Sequence, residues 1–473
     1  MTPDQPISLA FAVFCGILCC ILPLRSAIVP LCVAMCAYPT NVMVPPQGIQ
    51  MTVARLVGVV LLARCIASSE VRGRFKWMMV DTAGVIYFAL LMAAQMMTTE
   101  TIAAINRQAG FFLSALVPFW CVRLLVVDRA SLYTFFKGFL WVSMPLTLLA
   151  IYQASTGKSP YETIMGNGIL WAEINFQWKE IRPFLGMPMH RASAPFQQCI
   201  MFGWFFAIQV PWCTNLYFQH KSLKWWVIPC MILPVGTICT VSSGPMMMVA
   251  LSFLLLALFP IRGAWKGIFG SVLAVYMAIT LLAKRGLMEI VSSFGLDPAS
   301  GYYRVNLMNF VLGKGISPKN GAFNPMEGHW LAGFGNIPAP QFDDIHDLCI
   351  QWIFLTVING LMGLAGFILF AICCSWNLWR ANKRSNGLAD QWLCWSLFAI
   401  LIATLLAMQL VSLFAEMYFI YHLFLGLCAN SVLIVGQEEP ERSVGVLAEV
   451  DGRQVLLRYR LKAGQRLALV RPQ

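Results

Sequence analysis

Apolar stretches of about 20 residues, nearly free of charge, recur along the whole of this chain. At roughly 1.5 Å per residue such a stretch spans the ~30 Å hydrocarbon of a bilayer as an α-helix. Within lipid every backbone N–H and C=O must be paired inside the protein, so a series of these stretches dictates a helical bundle. The longest uncharged run, residues 225–261, suits two short helices or one very long one. Composition removes the alternatives. Charged residues make up 11% of the chain and hydrophobic ones 59%, whereas soluble proteins are about 25% charged. A soluble enzyme, a coiled coil and a disordered protein are thereby excluded, and a polytopic membrane protein remains.

Hydropathy places helices near 7–23, 26–44, 49–68, 78–97, 109–127, 135–153, 198–218, 225–241, 244–261, 266–283, 347–373, 391–412 and 417–436. The expected fold is therefore all-α, a transmembrane bundle of about 12–13 spans. Ser242, Ser243 and Gly244 before Pro245 mark a turn that divides the long run. Charge supports the division. The chain carries 33 Lys and Arg against 21 Asp and Glu, a net +12. With the turn in place, Arg25, Arg64, Arg72, Arg74, Arg123, Arg129, Lys137, Lys221, Lys224, Arg262, Lys266, Arg380, Lys383 and Arg384 share one side with the C-terminal tail. That side is cytoplasmic by the positive-inside rule. Without the turn, half of these short basic loops change sides. Met1–Pro6 has no positive n-region, so the first apolar stretch reads as a retained helix rather than a cleaved signal.

The organisation that follows is N-terminal helices over 1–153, a first long outward loop over 154–196 and central helices over 197–283. A second long outward loop over 284–346, C-terminal helices over 347–436 and a cytoplasmic tail over 437–473 complete it. Within the second loop, Gly301–Leu312 has an amphipathic pattern, with Tyr303, Leu307, Phe310 and Val311 near one face. The tail alternates through Val455–Lys462 as a β-hairpin does. Both outward loops are rich in aromatic residues, among them Trp171, Trp178, Tyr303 and Trp330, which suits folding against the membrane face.

The 16 cysteines lie almost entirely in apolar segments without a paired CxxC pattern, so neither a disulfide framework nor a zinc site is expected. No DxD or HExxH is present, Asp343 and Asp344 being adjacent. Neither metal ligands nor a cofactor is predicted. Few ionisable groups sit deep in the helices, as an ion-coupled pump would require. The candidates for chemistry stand instead at the outward face. His346, in Asp343-Asp-Ile-His-Asp347, is either a base oriented by a neighbouring carboxylate or part of a helix-start cluster capped by Asp343 or Asp344. Arg304 is either a phosphate clamp or a snorkelling arginine on an interfacial helix. Arg191, in Met187-Pro-Met-His-Arg-Ala-Ser-Ala-Pro195, is a second clamp or a helix-end anchor. His190 and His329 read as surface histidines, and Gly333-Phe-Gly335 as a tight turn.

The order of four segments carries a resemblance: Arg191-Ala-Ser-Ala-Pro195, Thr240-Val-Ser-Ser-Gly-Pro245, Tyr303-Arg304 leading to Gly333-Phe-Gly335, and His346-Asp-Leu-Cys-Ile-Gln-Trp352 followed by Asn359-Gly-Leu-Met-Gly-Leu-Ala-Gly366. Over about 185–370 the chain resembles the O-antigen ligase and O-antigen polymerase superfamily of bacterial membrane glycosyltransferases. The resemblance implies the C-type glycosyltransferase architecture in the bacterial inner (cytoplasmic) membrane, with the active site facing the periplasm. It implies metal-independent, inverting transfer of a glycan from an undecaprenyl-diphosphate carrier to a hydroxyl of a lipid, glycan or protein acceptor. Carried over by position, His346 is the base or acceptor-orienting residue, and Arg191 and Arg304 hold the diphosphate; Gly333, Gly335 and Asp347 are further expected substrate-binding residues. Three departures are visible. The family usually has His-Asn in place of His346-Asp347, often has Ser-Arg-Gly in place of Ser242-Ser243-Gly244, and often has a glycine after the first arginine, where this chain has Ala192–Ala194. Ligation is expected ahead of polymerisation, with protein O-glycosylation as a third activity of the same chemistry. From other classes, a lipid or polysaccharide transporter predicts related halves and a charged central cavity, and an envelope-assembly scaffold predicts no turnover. Membrane lipids are expected partners and nucleic acid is not.

Overall fold

A computed structural model describes residues 5–39, 44, 51–161, 180–193, 195–264, 298–311, 330–335, 348–409, 411–413, 416–436, 442–450 and 453–461. In chain order its main helices are α1 (Gln5–Ile21), α2 (Ile28–Cys36), α3 (Val53–Ala67), α4 (Met79–Thr98), α5 (Thr101–Leu125), α6 (Arg129–Thr156), α7 (Cys199–Cys213), α8 (Lys224–Cys239), α9 (Ser243–Ala257), α10 (Pro298–Val311), α11 (Gln351–Arg384), α12 (Leu388–Ala407) and α13 (Glu416–Ile434). Six of these, α4, α5, α6, α11, α12 and α13, are long and apolar enough to cross a membrane. The chain is a polytopic, mostly helical membrane protein. Two antiparallel hairpins accompany the bundle: β1 (Ile181–Phe184) with β2 (Met187–His190), and β3 (Arg442–Val450) with β4 (Arg453–Leu461).

Local chemistry sets the helix ends. Asp128 accepts from Ser131 N at 2.7 Å and Ser131 Oγ accepts from Asp128 N at 3.2 Å, a reciprocal cap that starts α6. Gly157 ends α6 in the left-handed region at φ 66°. In α5 a wide turn over Phe112–Leu116 precedes Pro118, which has no N–H to donate.

The core is organised around α7. Every residue from Met201 to Cys213 is buried, as expected of a helix that is apolar on all faces. Trp212 packs against Phe135, Phe136 and Phe139 of α6, and Phe196, Phe202, Phe205 and Phe206 form a second aromatic group. A Cβ at Gly203 would lie 2.7 Å from Thr240 Oγ1 and 2.8 Å from Pro245 Cβ. That glycine lets α7 touch the turn between α8 and α9. The outside of the bundle is apolar, with Phe14, Ile17, Trp141, Leu148, Ile368 and Ile372 exposed, as a lipid-facing surface requires.

The two ends of the bundle differ in charge. At one end Arg25 pairs with Asp128 (3.5 Å), Arg129 pairs with Asp390, Arg262 donates to Gln391 (2.6 Å) and Lys137 lies 5.9 Å from the Trp225 ring. Beside them Arg123, fully buried, makes a bidentate pair with Asp81 (2.7 and 3.0 Å), donates to Lys76 O (3.0 Å) and binds Asn430. Short basic loops far apart in sequence thus gather at a single end. The opposite end is formed by Thr52, Thr98–Glu100, Thr156–Tyr161, Arg191–Ser193, Cys239–Ser242, Gln351, Met408, Gln409 and Val411–Leu413.

Several boundaries differ from the sequence reading. The expected helix 109–127 starts at Thr101, the described helix within the expected 26–44 covers Ile28–Cys36, and the expected 347–373 runs from Gln351 to Arg384. The run 225–261 is divided, α8 ending at Cys239 and α9 starting at Ser243. The first long loop contains the β1–β2 hairpin, and the tail contains β3–β4. The expected span 266–283 lies outside the described residues.

Candidate functional site

At the end opposite the basic loops, α11 is interrupted. Gly360 has φ 61° and ψ −163°, a conformation that essentially only glycine adopts. The interruption has a length rationale. The 34 residues of α11 would measure about 51 Å as one helix, well beyond the hydrocarbon thickness, so the break separates a part long enough to span from a shorter helical part before Gly360. The freed backbone groups are paired by the 330–335 segment: Phe334 N donates to Val357 O (2.8 Å), Gly335 N to Ile358 O (3.1 Å), Leu361 N to Trp330 O (2.9 Å) and Met362 N to Leu331 O (3.2 Å). Gly333 has φ 74° and Gly335 φ 64°. A Cβ at Gly333 would lie 2.6 Å from Gly360 N, so the two glycines permit the close approach.

Polar side chains complete the junction. Gln95, buried in α4, donates to Asn359 Oδ1 at 2.8 Å and to Ile358 O at 3.4 Å. Its own Oε1 accepts from Arg107 at 3.5 Å and from Thr99 at 3.4 Å. Arg107 lies within electrostatic reach of Tyr418 on α13, and the Gln351 side chain is beside that tyrosine. One turn on from Arg107, Gly110 accommodates the guanidinium of Arg55, whose Nε donates to Ser114 at 2.9 Å. On the outer side of the junction, Leu307 of α10 is buried against Ile350, Ile353 and Val357, with Tyr303, Phe334 and Trp352 packed around them. Arg304 is half-buried on this helix.

Arg191 stands elsewhere at the same end. It follows β2 directly, is 6% exposed and pairs with Glu180 at 2.9 Å. The backbone beyond it is anchored twice: Ala192 N donates to Cys239 O (3.0 Å) and Ser193 N to Gln153 Oε1 (3.1 Å). The first of these bonds ties the segment to the end of α8, just before Thr240–Pro245, where Val241 has φ 45°, strained for a β-branched residue. His190 packs its ring on Gly157. Nearby, Tyr161 donates to Ala37 O at 2.6 Å, and burial pushes its phenol up to about 12.

A strip between α12 and α13 lies between the two halves. A Cβ at Gly244 would lie 3.7 Å from Val411. Gln351 N donates to Met408 O at 3.0 Å, Leu413 N donates to Gln351 Oε1 at 2.5 Å and Trp352 Nε1 donates to Gln409 at 3.1 Å.

Of the sequence candidates, Arg191, Arg304, Gly333 and Gly335 are all at this end. His346 and Asp347 lie outside the described residues. Sequence reasoning missed Gln95, Arg107 and Glu180, and named Asn359 only as part of the fourth segment of the resemblance. Gln95 had a signal, a lone amide in the apolar run Ala93–Met97. Arg107 was hidden because the apolar run that marks its helix begins two residues after it. Among the described residues, no group of three or more His, Cys, Asp or Glu is arranged to hold a metal.

No protein-family model matches this chain, and no curated protein matches it. The resemblance noted above therefore rests on the four segments and their order.

Proposed function

We propose that this protein is a membrane glycosyltransferase of the O-antigen ligase type, moving a glycan from an undecaprenyl-diphosphate carrier to an acceptor hydroxyl at the outer face of the inner membrane. One observation carries the reading. Segments singled out in the sequence come together at one end of the bundle: Ala192 N bonds Cys239 O, next to Thr240–Pro245, and Phe334 and Gly335 bond Val357 and Ile358, next to Asn359-Gly360. That end is the one away from the basic loops, hence periplasmic by the positive-inside rule.

In the proposed reaction the acceptor oxygen attacks the anomeric carbon of the donor glycan as its bond to the diphosphate breaks, with inversion. The acceptor proton passes to His346. The negative charge growing on the departing polyprenyl diphosphate is met by Arg191 and Arg304, fixed cations at the headgroup level. Gly333 and Gly335 hold the 330–335 turn tight against α11 beside the substrate, and Asp347 contributes to its binding.

Purified protein incubated with a polyprenyl-diphosphate glycan and candidate acceptors tests this. Capped acceptor is the expected product, and a lengthened carrier-linked glycan would indicate the polymerase instead. Arg191→Ala, Arg304→Ala and His346→Ala should each abolish transfer while the protein stays folded. Full transfer by all three would sink the assigned roles. A chelator should leave the rate unchanged, and a strict Mg²⁺ requirement would count against an arginine clamp.

A second reading, a lipid or polysaccharide transporter, is favoured by the discontinuity of α11 at Gly360, since broken helices build substrate sites in transporters. Flux of a carrier-linked glycan across proteoliposomes without any covalent change would select it.

A further inference from the structure

Arg191 and Glu180 face each other across the open end of the β1–β2 hairpin, one register step beyond the Ile181–His190 pair. Arg191 N donates to Glu180 O at 3.1 Å, and the guanidinium Nη1 donates to the Glu180 carboxylate at 2.9 Å. The partners are unequal. The Arg191 side chain is 7% exposed and the Glu180 side chain 40%. The arginine is held on a backbone anchored through Ala192 to α8 and through Ser193 to α6, whereas the outer face of the carboxylate is open to solvent. The fork of the guanidinium is incompletely used: Arg191 Nε is buried and has no hydrogen-bond partner among the described residues.

A buried cation needs a counter-charge to remain folded. Among the described residues that charge comes from one half-exposed carboxylate, and a buried N–H beside it is left unfilled. Carboxylate and phosphate oxygens suit the same guanidinium fork, so the place Glu180 occupies is one that a phosphate oxygen would take.

We propose that Glu180 is an intramolecular placeholder: it neutralises Arg191 while the site is empty and gives way when the diphosphate of the donor binds. This inference rests on the reading of Arg191 as a donor-binding residue. The device keeps an empty anion site stable and sets a threshold for entry. A diphosphate, with more charge and more oxygens to fill the idle Nε, displaces the carboxylate; a neutral lipid does not.

The test is titration calorimetry on the full chain in detergent micelles, with inorganic pyrophosphate and, separately, undecaprenyl diphosphate as probes. Glu180→Gln removes the charge at constant shape and should bind both probes roughly fivefold tighter than wild type, the size expected for losing competition from a partly exposed ion pair. Arg191→Ala should lose binding, and the Glu180→Gln/Arg191→Ala double variant should match Arg191→Ala. Arg191→Lys, which keeps the charge without the fork, should bind more weakly and replaces the alanine variant if that does not fold. Equal or weaker binding by Glu180→Gln, with binding still lost in Arg191→Ala, overturns the placeholder and leaves the donor reading standing. Wild-type binding by the arginine variants overturns both. Glu180→Ala guards against a folding defect peculiar to the amide; if both Glu180 variants fail to fold, the pair is a structural clasp and the proposal fails. Tightening for undecaprenyl diphosphate alone assigns the site to the lipid-linked donor, and tightening for both probes assigns it to the diphosphate group.

Discussion

Arg123 and Gly360 show how a single side chain, or its absence, sustains a bundle in lipid. Arg123 is fully buried with Asp81, Asn430 and the Lys76 carbonyl as partners, and Asn430 Nδ2 in turn donates to Val122 O (3.0 Å) and Val126 O (2.7 Å). The network ties α4, α5 and α13 together at the basic end. Removing one member leaves a buried charge without its partner, a loss of about 3–5 kcal/mol. Arg123→Ala should therefore lower the melting temperature of the purified protein sharply, and Asp81→Ala/Arg123→Ala should recover part of the loss. A double variant no more stable than the single one would show that the pair is not the source. Gly360→Ala acts by sterics. Its Cβ would fall 2.2 Å from Leu331 O, on a backbone conformation alanine avoids. The expected cost is about 3 kcal/mol or more. Amide exchange should rise in 330–335 and 351–359 and stay unchanged in α7; unaltered exchange across the junction would argue that the 330–335 segment is held by something other than the break.

At the scale of elements, what could be read from the chain depended on whether side chains or backbone did the work. Apolar runs fix where helices lie because lipid leaves the backbone no other partner. The turn between α8 and α9 was legible because Ser242, Ser243 and Gly244 precede Pro245. The break in α11 was not: the apolar pattern continues unbroken from Ile353 to Leu364 apart from Thr356, Asn359 and the glycines, and the bonds that compensate it run between main-chain atoms of two distant segments. Backbone pairing leaves no side-chain signature. Arg107 was missed for a related reason. Thr101–Gln108 is polar enough to read as a loop, yet it is helical because the turn at Thr99-Glu100 feeds it back against α4, where Gln95 meets it. The resemblance located Arg191 and Arg304, but a carboxylate eleven residues before Arg191 belongs to no pattern; only the hairpin register brings it across.

For the whole molecule, the separation of charge between the two ends decides what any site here is able to do. Arg25, Arg123, Arg129 and Arg262 are engaged with Asp128, Asp81, Asp390 and Gln391 at the basic end, while the Gly360 junction and Arg191 lie at the other. An excess of basic loops stays on the cytoplasmic side during insertion, so the junction should open outward, where a lipid-linked glycan would be used. Two exposed glycines report on this without disturbing the core. Gly186, at the β1–β2 tip, and Gly387, between α11 and α12, have open space around them. A short protease-cleavable tag inserted after Gly186 should be cut by protease added to intact spheroplasts and protected in inverted vesicles. The same tag after Gly387 should behave in the opposite way. Cleavage of both tags from one side would mean that the number of crossings between them is even, contrary to the odd number expected from the hydropathy. The reverse pattern, with the Gly186 tag cut only in inverted vesicles and the Gly387 tag only from outside, would turn the junction toward the cytoplasm, and a periplasmic transferase would no longer be tenable.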